Sequence, residues 1–150
     1  MLNKKIVTLS FLAVSLLFGS FHSQVIAGEN PAIKQVVLDG KGKTQSAYVE
    51  KMNDTNFEAV IANGVVIVDF YADWCGPCKR FAPTFEKVAE EMYGTVAFGK
   101  LNVDEGVDAS RSYKVSSIPT LILFKDGQEV KRRVGGCSAK ELIVFIQAAL

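Results

Sequence analysis

Apolar residues form two kinds of run along this chain, and each kind predicts a different secondary structure. Residues 65–71 (VVIVDFY) are a continuous β-branched and aromatic run, the pattern of a strand that is buried on both faces. Residues 75–93 place Phe81 and Phe85 at helical spacing among polar residues, and Gly94 marks the end of that helix. A buried strand followed by a long amphipathic helix is typical of an α/β unit.

Further elements flank this unit and show the same two patterns. A short helix starts at the capping-box spacing of Thr55 and Glu58 and ends before Gly64, a strand covers 96–103, and a weak helix covers 107–114. Two strands cover 120–124 and 129–134 and are joined by a tight turn at Asp126 and Gly127. A last helix starts at Ser138, has Glu141 as its capping partner, and carries an apolar stripe of Leu142, Phe145, Ile146 and Ala149. A helical crossover implies parallel strands, whereas the tight turn adds an antiparallel pair. The predicted fold class is therefore α/β, a mixed central sheet flanked by helices on both faces.

The first residues carry the pattern of an export signal. Residues 6–21 are almost unbroken apolar sequence, Lys4 and Lys5 precede them, and a short polar segment leads to the small residue Ala27. A charged start, an apolar centre and a small-residue exit predict a secretory signal peptide over residues 1–27. The apolar run is short for a membrane span, and an uncleaved membrane anchor is the alternative.

The segment after the predicted signal has a different composition. Residues 28–46 are rich in Gly, Lys, Asp and Ser, which predicts a linker or N-terminal extension. The one apolar patch there, residues 36–38, is a candidate hairpin partner for residues 47–52 across an Asp-Gly turn. Residues 47–150 then form one domain of ordinary size for a single core.

The charge of the chain argues against nucleic acid as a partner. The sequence has 17 basic and 16 acidic residues, so loss of Lys4 and Lys5 with the signal leaves 15 basic residues and a net charge of −1. A near-neutral domain lacks the basic surface that nucleic-acid binding requires. The run Lys131-Arg132-Arg133 is too short to supply it, and we interpret that run as the solvated edge of a strand.

Cysteine usage points to redox chemistry. The chain has three cysteines, and Cys75 and Cys78 stand three positions apart. Side chains at that helical spacing lie within about 6 Å, so the pair can form a disulfide with little backbone movement. A zinc site would lack ligands, because the single histidine, His22, lies in the predicted signal peptide. A permanent structural disulfide of this spacing would hardly constrain the unfolded chain. We expect no metal, and no cofactor beyond the redox-active pair itself.

The position of the pair at the start of a helix favours a reactive thiolate at Cys75. Unpaired N–H groups and the positive end of the helix dipole stabilise an anion there. Pro77 suits the first turn because the N–H that it lacks would have no helical acceptor, and Gly76 leaves the sulfurs accessible. We expect Cys75 to attack a partner's disulfide and Cys78 to resolve the mixed disulfide.

Residues 68–79 (VDFYADWCGPCK) resemble the active-site segment of the thioredoxin family. Further matching pieces follow in family order, namely Pro83, residues 100–104 (KLNVD), residues 118–120 (IPT), residues 124–127 (FKDG) and Val134-Gly135. The resemblance covers about residues 48–150. It implies a thioredoxin fold and thiol–disulfide oxidoreductase activity.

The resemblance also implies roles for residues around the cysteines. Asp69 would be a buried carboxylate that assists proton transfer at Cys78, with Lys100 tuning it. The sequence supports this independently, since Asp69 is the one charge in an apolar run and burial would raise its pKa towards neutrality, which suits a general base. Pro119 matches the family's cis-proline, which lets the Ile118 backbone pair with substrate. The substrate-facing surface would comprise Trp74, Gly76, Pro77, Ile118, Pro119 and Gly135.

Two positions depart from the family pattern. Tyr71 stands where many thioredoxins have tryptophan, a substitution that we expect to be tolerated. Cys137 is extra, and it precedes the predicted N-cap Ser138, where it would pack on Leu142 as a hydrophobic staple. A regulatory thiol and an intermolecular disulfide are the alternatives for Cys137.

The expected function is reduction of protein disulfides by a monomer in the bacterial periplasm. A Gly-Pro pair between the cysteines resembles the reducing members of the family, and a membrane or soluble reductase would supply the electrons. Net oxidation or isomerisation of protein dithiol and disulfide substrates is one alternative. A binding module that uses the fold as a scaffold is another. Secretion and tethering by an uncleaved signal are the alternative locations.

Overall fold

The computed structural model describes residues 46–150, which contain five strands and four helices. In chain order these are β1 (Val49–Met52), α1 (Phe57–Ile61), β2 (Val65–Tyr71), α2 (Gly76–Glu91), β3 (Ala97–Asn102), α3 (Val107–Ser112), β4 (Thr120–Lys125), β5 (Gln128–Val134) and α4 (Ala139–Gln147). Within this range no helix is long and apolar enough to cross a membrane. The predicted signal peptide and the strand patch at 36–38 lie outside the described residues, so the domain boundaries stay predictions.

The five strands form one mixed sheet in the order β1-β3-β2-β4-β5. Strands β1 and β2 both pair in parallel with β3. Strands β4 and β5 add antiparallel ladders on the other side of β2. The helical crossover through α2 accounts for the parallel pairing of β2 and β3, and the turn at Asp126 and Gly127 accounts for the β4–β5 hairpin. The predicted combination of parallel and antiparallel strands is therefore confirmed.

Side chains of β2 enter two separate cores because β2 lies at the centre of the sheet. Ile67 belongs to a cluster with Phe85 of α2 and Phe145 of α4. Val68, one position along, belongs to a cluster on the opposite face with Phe57 of α1. Burial of each such side chain stabilises the fold by roughly 1.5–3 kcal/mol. Helices thus cover both faces, as the continuous apolar run of β2 predicts.

The predicted capping box at the start of α1 is wrong. The N-cap of α1 is Asn56, and its side chain makes no capping hydrogen bond. The Asn53 side-chain oxygen instead accepts hydrogen bonds from the Thr55 N–H at 2.8 Å and from the Thr55 hydroxyl. A short amide directly after β1 captures the neighbouring donors in a local turn, which leaves the Thr55 side chain unable to cap the helix.

The predicted start of α4 is confirmed. The Glu141 N–H donates to the Ser138 hydroxyl oxygen at 3.3 Å, and the Ser138 N–H donates to the Glu141 carboxylate at 2.9 Å. Cys137 is partly buried against the core cluster that contains Leu142. This placement agrees with the hydrophobic-staple interpretation of Cys137.

Candidate active site

The two cysteines lie where the chain leaves β2 and enters α2. Cys75 is the N-cap of α2, and its sulfur accepts a hydrogen bond from the Cys78 N–H at 3.1 Å. The two sulfurs are joined as a disulfide, with 5.3 Å between the Cα atoms. Gly76 and Pro77 form the first turn of the helix, where proline removes no hydrogen bond. The turn therefore holds both sulfurs at the positive end of a helix of 16 residues.

A second loop faces the disulfide from the start of β4. The peptide bond between Ile118 and Pro119 is cis, as the family resemblance implies. The Cys75 sulfur lies 3.9 Å from the Ile118 carbonyl oxygen, and Ile118 packs against the cluster that contains both cysteines. The Ile118 backbone is thus placed beside the sulfur that a substrate would approach.

A third loop completes this surface after β5. The Gly135 N–H donates to the Pro119 carbonyl oxygen at 2.7 Å, and Gly135 has a positive φ of 88°, which favours glycine. Val134, which precedes it, is 63% exposed and pairs with Thr120. Val134 was not among the residues predicted for this surface. The sequence did carry a signal for Val134, since it is an apolar residue at the end of a predicted strand and directly precedes the predicted site residue Gly135.

Trp74 is an exposed aromatic side chain that the structure holds in place. It is 70% exposed, and its indole N–H donates to the Asp104 carboxylate at 2.8 Å. The Asp104 N–H in turn donates to the Asn102 side-chain oxygen at 3.0 Å. A large apolar group fixed on the surface is typical of a contact site for a partner. Asp104 was also missed as a site residue, although it follows β3, whose carboxyl end adjoins that of β2.

Asp69 is a buried carboxyl group on the same face of the sheet as α2. It is only 4% exposed, and it stands opposite Lys100 on β3 and Leu121 on β4. One carboxyl oxygen, Oδ1, has no hydrogen-bond partner within the described residues. Burial raises the pKa of Asp69 to about 7, and the positive charge of Lys100 opposes that rise. A carboxyl group of this kind exists in both protonation states near neutral pH.

A cavity of about 230 Å³ lies beside Asp69 and Cys78. Asp69, Lys100 and Cys78 all line it, and it has room for several water molecules. Lys79 and Glu86 line its α2 wall, and Asp73 lines the wall next to β2. These three residues were not predicted as site residues, although Lys79 and Glu86 are seven positions apart and so share one face of the helix.

The arrangement supports proton transfer coupled to thiol–disulfide exchange. Asp69 and Cys78 share a cavity with space for water, so a proton can pass between them through water molecules in that cavity. A pKa near 7 lets the same carboxyl accept the proton and later release it. The predicted residues Cys75, Cys78, Asp69 and Lys100 are therefore brought together, and the catalytic roles of Asp69 and Lys100 stay predictions.

The fold and the site define a class of protein, the thiol–disulfide oxidoreductases with a Cys-x-x-Cys pair at a helix N-terminus. The thioredoxin family model matches residues 48–148. A thioredoxin of Chlamydia pneumoniae is 52% identical over 87 residues, which is 58% of this chain and 84% of that protein. A thioredoxin of Pseudomonas aeruginosa is 42% identical over 105 residues, or 69% of this chain and 97% of that protein. The chain belongs to the thioredoxin family.

Membership of this family confirms the predicted fold and the predicted general activity. The protein is a thioredoxin-type thiol–disulfide oxidoreductase with protein-disulfide reductase activity, and Cys75 and Cys78 are its redox-active pair. The substrate-facing roles of Trp74, Gly76, Pro77, Ile118, Pro119 and Gly135 agree with their positions around the disulfide. Those roles stay predictions until variants are measured.

Proposed function

We propose that this chain is an exported thioredoxin that reduces disulfides in exported protein clients in the bacterial periplasm. The observation that carries the direction is Asp69, which shares a cavity with Cys78 and is partly ionised near pH 7. A negative charge in a buried site disfavours a nearby thiolate, and so disfavours the thiolate form of the reduced pair relative to the disulfide. A pair with a less stable dithiol form is the stronger reductant.

The proposed reaction transfers two electrons from the dithiol pair to the client. The Cys75 thiolate attacks one sulfur of the client disulfide, which forms a mixed disulfide and releases the first client thiolate. Asp69 takes the proton of Cys78, and the Cys78 thiolate then attacks the Cys75 sulfur. The second client thiolate leaves and is protonated, and the pair ends as the Cys75–Cys78 disulfide. A dithiol electron donor, in the membrane or soluble, restores the reduced pair.

The reduction potential of the pair tests the direction. The mature protein is equilibrated with defined dithiol and disulfide buffers, and the free thiols are trapped and counted. A potential near the roughly −270 mV of known thioredoxins would support reduction of clients. A potential near the roughly −120 mV of a strongly oxidising periplasmic enzyme would instead support disulfide donation and overturn the proposed direction.

The N-terminal sequence supports the proposed location. Residues 1–47 precede the family match, and they include the lysine-led apolar run over residues 6–21 and the short polar segment that leads from it to Ala27. The test is to express the whole chain in a bacterium, fractionate the cells and measure the mass of the product. Export predicts a periplasmic product that starts at Gly28, whereas Leu12→Arg, which places a charge in the apolar run, should hold the full-length chain in the cytoplasm. A wild-type chain that stays full-length in the cytoplasm would overturn the proposed location.

Replacement of Cys75 by serine distinguishes catalysis from a purely binding role. Serine keeps the size of the side chain and remains a good helix N-cap, so the fold should be retained. A redox role predicts that Cys75→Ser abolishes client reduction in vitro and fails to restore function in a cell that lacks the wild-type chain. A binding module would keep its cellular function in the same variant.

A further inference from the structure

A basic groove lies between β5 and α4, away from the Asp69 cavity. It has a volume of about 480 Å³. Its walls are three consecutive cations of β5 and four residues of α4, namely Lys131, Arg132, Arg133, Lys140, Glu141, Val144 and Phe145. Within residues 46–150, β5 is one of the two edge strands of the sheet and has no strand on its outer side. The groove therefore combines a free backbone edge with a concentration of positive charge.

Two groove cations have no carboxylate partner of their own in the described part of the chain. Lys140 takes part in none of the ion pairs there. Lys131 lies over the Phe145 ring at 4.9 Å, an arrangement that orients the ammonium group without neutralising it. Both ammonium groups are therefore available to an anionic partner.

The Arg133 guanidinium group makes only a weak ion pair and leaves a donor without a partner among the described residues. It meets Glu141 at 3.5 Å, but that carboxylate also accepts hydrogen bonds from the Ser138 N–H and hydroxyl. The Arg133 Nε atom is buried and has no acceptor within the described residues. Arg132 differs, because it is held by Glu129 and by the Tyr113 carbonyl oxygen, each at 2.7 Å. Three groove cations can therefore bind a further anionic group, namely Lys131, Arg133 and Lys140.

The pleat of β5 places Lys131 and Arg133 on one face. They pair with Leu123 and Leu121 of β4, and both leucines belong to the core that α4 covers. A strand added beside β5 would lie about 4.8 Å away and would point every second side chain to this face. Side chains directly opposite each other on such strands are about 5 Å apart, and opposite charges there attract.

We propose that this groove docks an extended acidic segment of a partner protein, which adds a sixth strand beside β5. Carboxylates at alternate positions of that segment face Lys131 and Arg133, and a further carboxylate reaches Lys140. Val144, which is 58% exposed, contacts an apolar residue of the segment. Edge strands are a common site for peptide addition, in which main-chain hydrogen bonds supply affinity and alternate side chains supply specificity.

The groove adjoins the substrate-facing surface. Arg133 is two positions before Gly135, whose N–H bonds to Pro119 beside the disulfide. A partner held in the groove can therefore present a disulfide or dithiol to Cys75 at the same time. The proposal rests on the thiol–disulfide exchange at Cys75, and it does not depend on the direction or the location proposed above.

An anionic membrane surface fits the groove less well. Recognition of anionic lipids uses clusters of about 4–8 lysines and arginines, whereas only three groove cations can bind a further anion. A protective role against edge-to-edge pairing would also place lysine on an edge strand. Both alternatives are outcomes of the experiment below.

The binding test uses the whole mature protein and a fluorescein-labelled peptide in which glutamate alternates with valine. Anisotropy gives the dissociation constant, and the same peptide with glutamine for glutamate is the matched probe. Lys140→Glu should weaken binding roughly tenfold, since it reverses a charge at the groove. Its fold is protected, because an acidic residue in the first turn of α4 is favourable for the helix dipole. Lys125→Gln, an exposed change outside the groove, should leave binding unchanged.

A kinetic test links the groove to the redox reaction. A disulfide-bonded client peptide that carries the acidic segment should show a KM several-fold lower than the same client with glutamine, at unchanged kcat. Lys140→Glu should remove that advantage and leave turnover of the glutamine client intact, so failure of docking is distinguishable from failure of the reductase. Equal binding of both labelled peptides, or an unchanged dissociation constant in Lys140→Glu, would overturn the proposal. Charge-dependent binding to anionic phospholipid vesicles without peptide binding would overturn the proposal in favour of a lipid surface. Increased self-association of Lys131→Thr, which removes the lysine of the edge strand, without peptide binding to the wild-type protein would overturn it in favour of a protective role.

Discussion

Replacement of Asp69 by asparagine keeps the size of the side chain and removes its ability to ionise. In the folded protein burial raises the pKa of Asp69 from 3.8 to about 7. At about 1.36 kcal/mol for each pKa unit, this rise corresponds to about 4 kcal/mol of folding free energy that is lost when the carboxyl is ionised. Asp69→Asn avoids that loss, so we expect it to be the more stable protein at alkaline pH.

The pH dependence follows from the sign of the shift. Because the folded-state pKa is raised, the folded protein holds a proton that the unfolded chain has released between about pH 4 and pH 7. The stability contributed by the protonated carboxyl is therefore complete below about pH 4, falls as the pH rises to about 7, and then stays constant. Any fixed cost of the asparagine amide is the same at every pH. The informative quantity is thus the change in the stability difference between the two proteins.

Urea unfolding of both proteins in the disulfide form, at a series of pH values, measures this quantity. The difference in unfolding free energy should grow by about 4 kcal/mol between about pH 4 and pH 8, which is about 2 M in the urea midpoint for a slope of about 2 kcal/mol per molar. The control must not add a buried carboxyl group, as Asn102→Asp would. Asp73→Asn, an exposed change that also removes one carboxyl group from the cavity lining, is the matched control. A difference between wild type and Asp69→Asn that is constant with pH would refute the raised pKa and with it the general-base argument.

Three further changes test the structure. Lys100→Met removes the positive charge that opposes the rise in the Asp69 pKa, so the pH-dependent loss of stability should extend to higher pH in the same urea series. An unchanged upper limit of that loss would contradict the coupling. Gly106→Ala should lower the free energy of unfolding by about 1–3 kcal/mol in urea unfolding, because its Cβ would lie 2.6 Å from the buried Leu101 side chain. Gly76→Ala should leave the free energy of unfolding nearly unchanged, because its Cβ would meet only Arg80, at 3.6 Å. Ser138→Ala should lower the free energy of unfolding by about 1 kcal/mol, because it removes the side-chain cap of α4. Thermal unfolding measures this change, with the exposed Ser112→Ala as the control. Equal unfolding midpoints of the two variants would contradict the predicted role of the cap.

The elements that the sequence predicted well are those whose signals are local. The apolar run of β2 continues along the whole strand, and the helical spacing of apolar residues in α2 continues over several turns. Tertiary contacts therefore stabilise the same strand and helix that the local pattern favours. The capping box of Ser138 and Glu141 likewise needs only neighbouring residues. The cysteine pair was found for the same reason, because its chemistry depends on a spacing of three positions within one helix turn.

Features that depend on contacts between distant segments were less accessible. The opposition of Asp69 and Lys100 is a register between parallel strands joined by a long crossover, and the sequence does not fix that register by itself. The cavity beneath Cys78 likewise depends on how α2 packs on the sheet. At Thr55 the error was different, since a competing local donor–acceptor arrangement at Asn53 replaced the expected cap.

The sulfur of Cys75 both reacts and caps α2, through the Cys78 N–H at 3.1 Å. A thiolate accepts a hydrogen bond more strongly than a disulfide sulfur does, so the helix start is held more firmly in the reduced protein. Hydrogen–deuterium exchange at the Cys78 amide should therefore slow on reduction. Every extra 1.4 kcal/mol by which this bond favours the reduced state raises the potential by about 30 mV. The cap and the Asp69 charge thus act on the potential in opposite directions, and a firmer cap makes a weaker reductant.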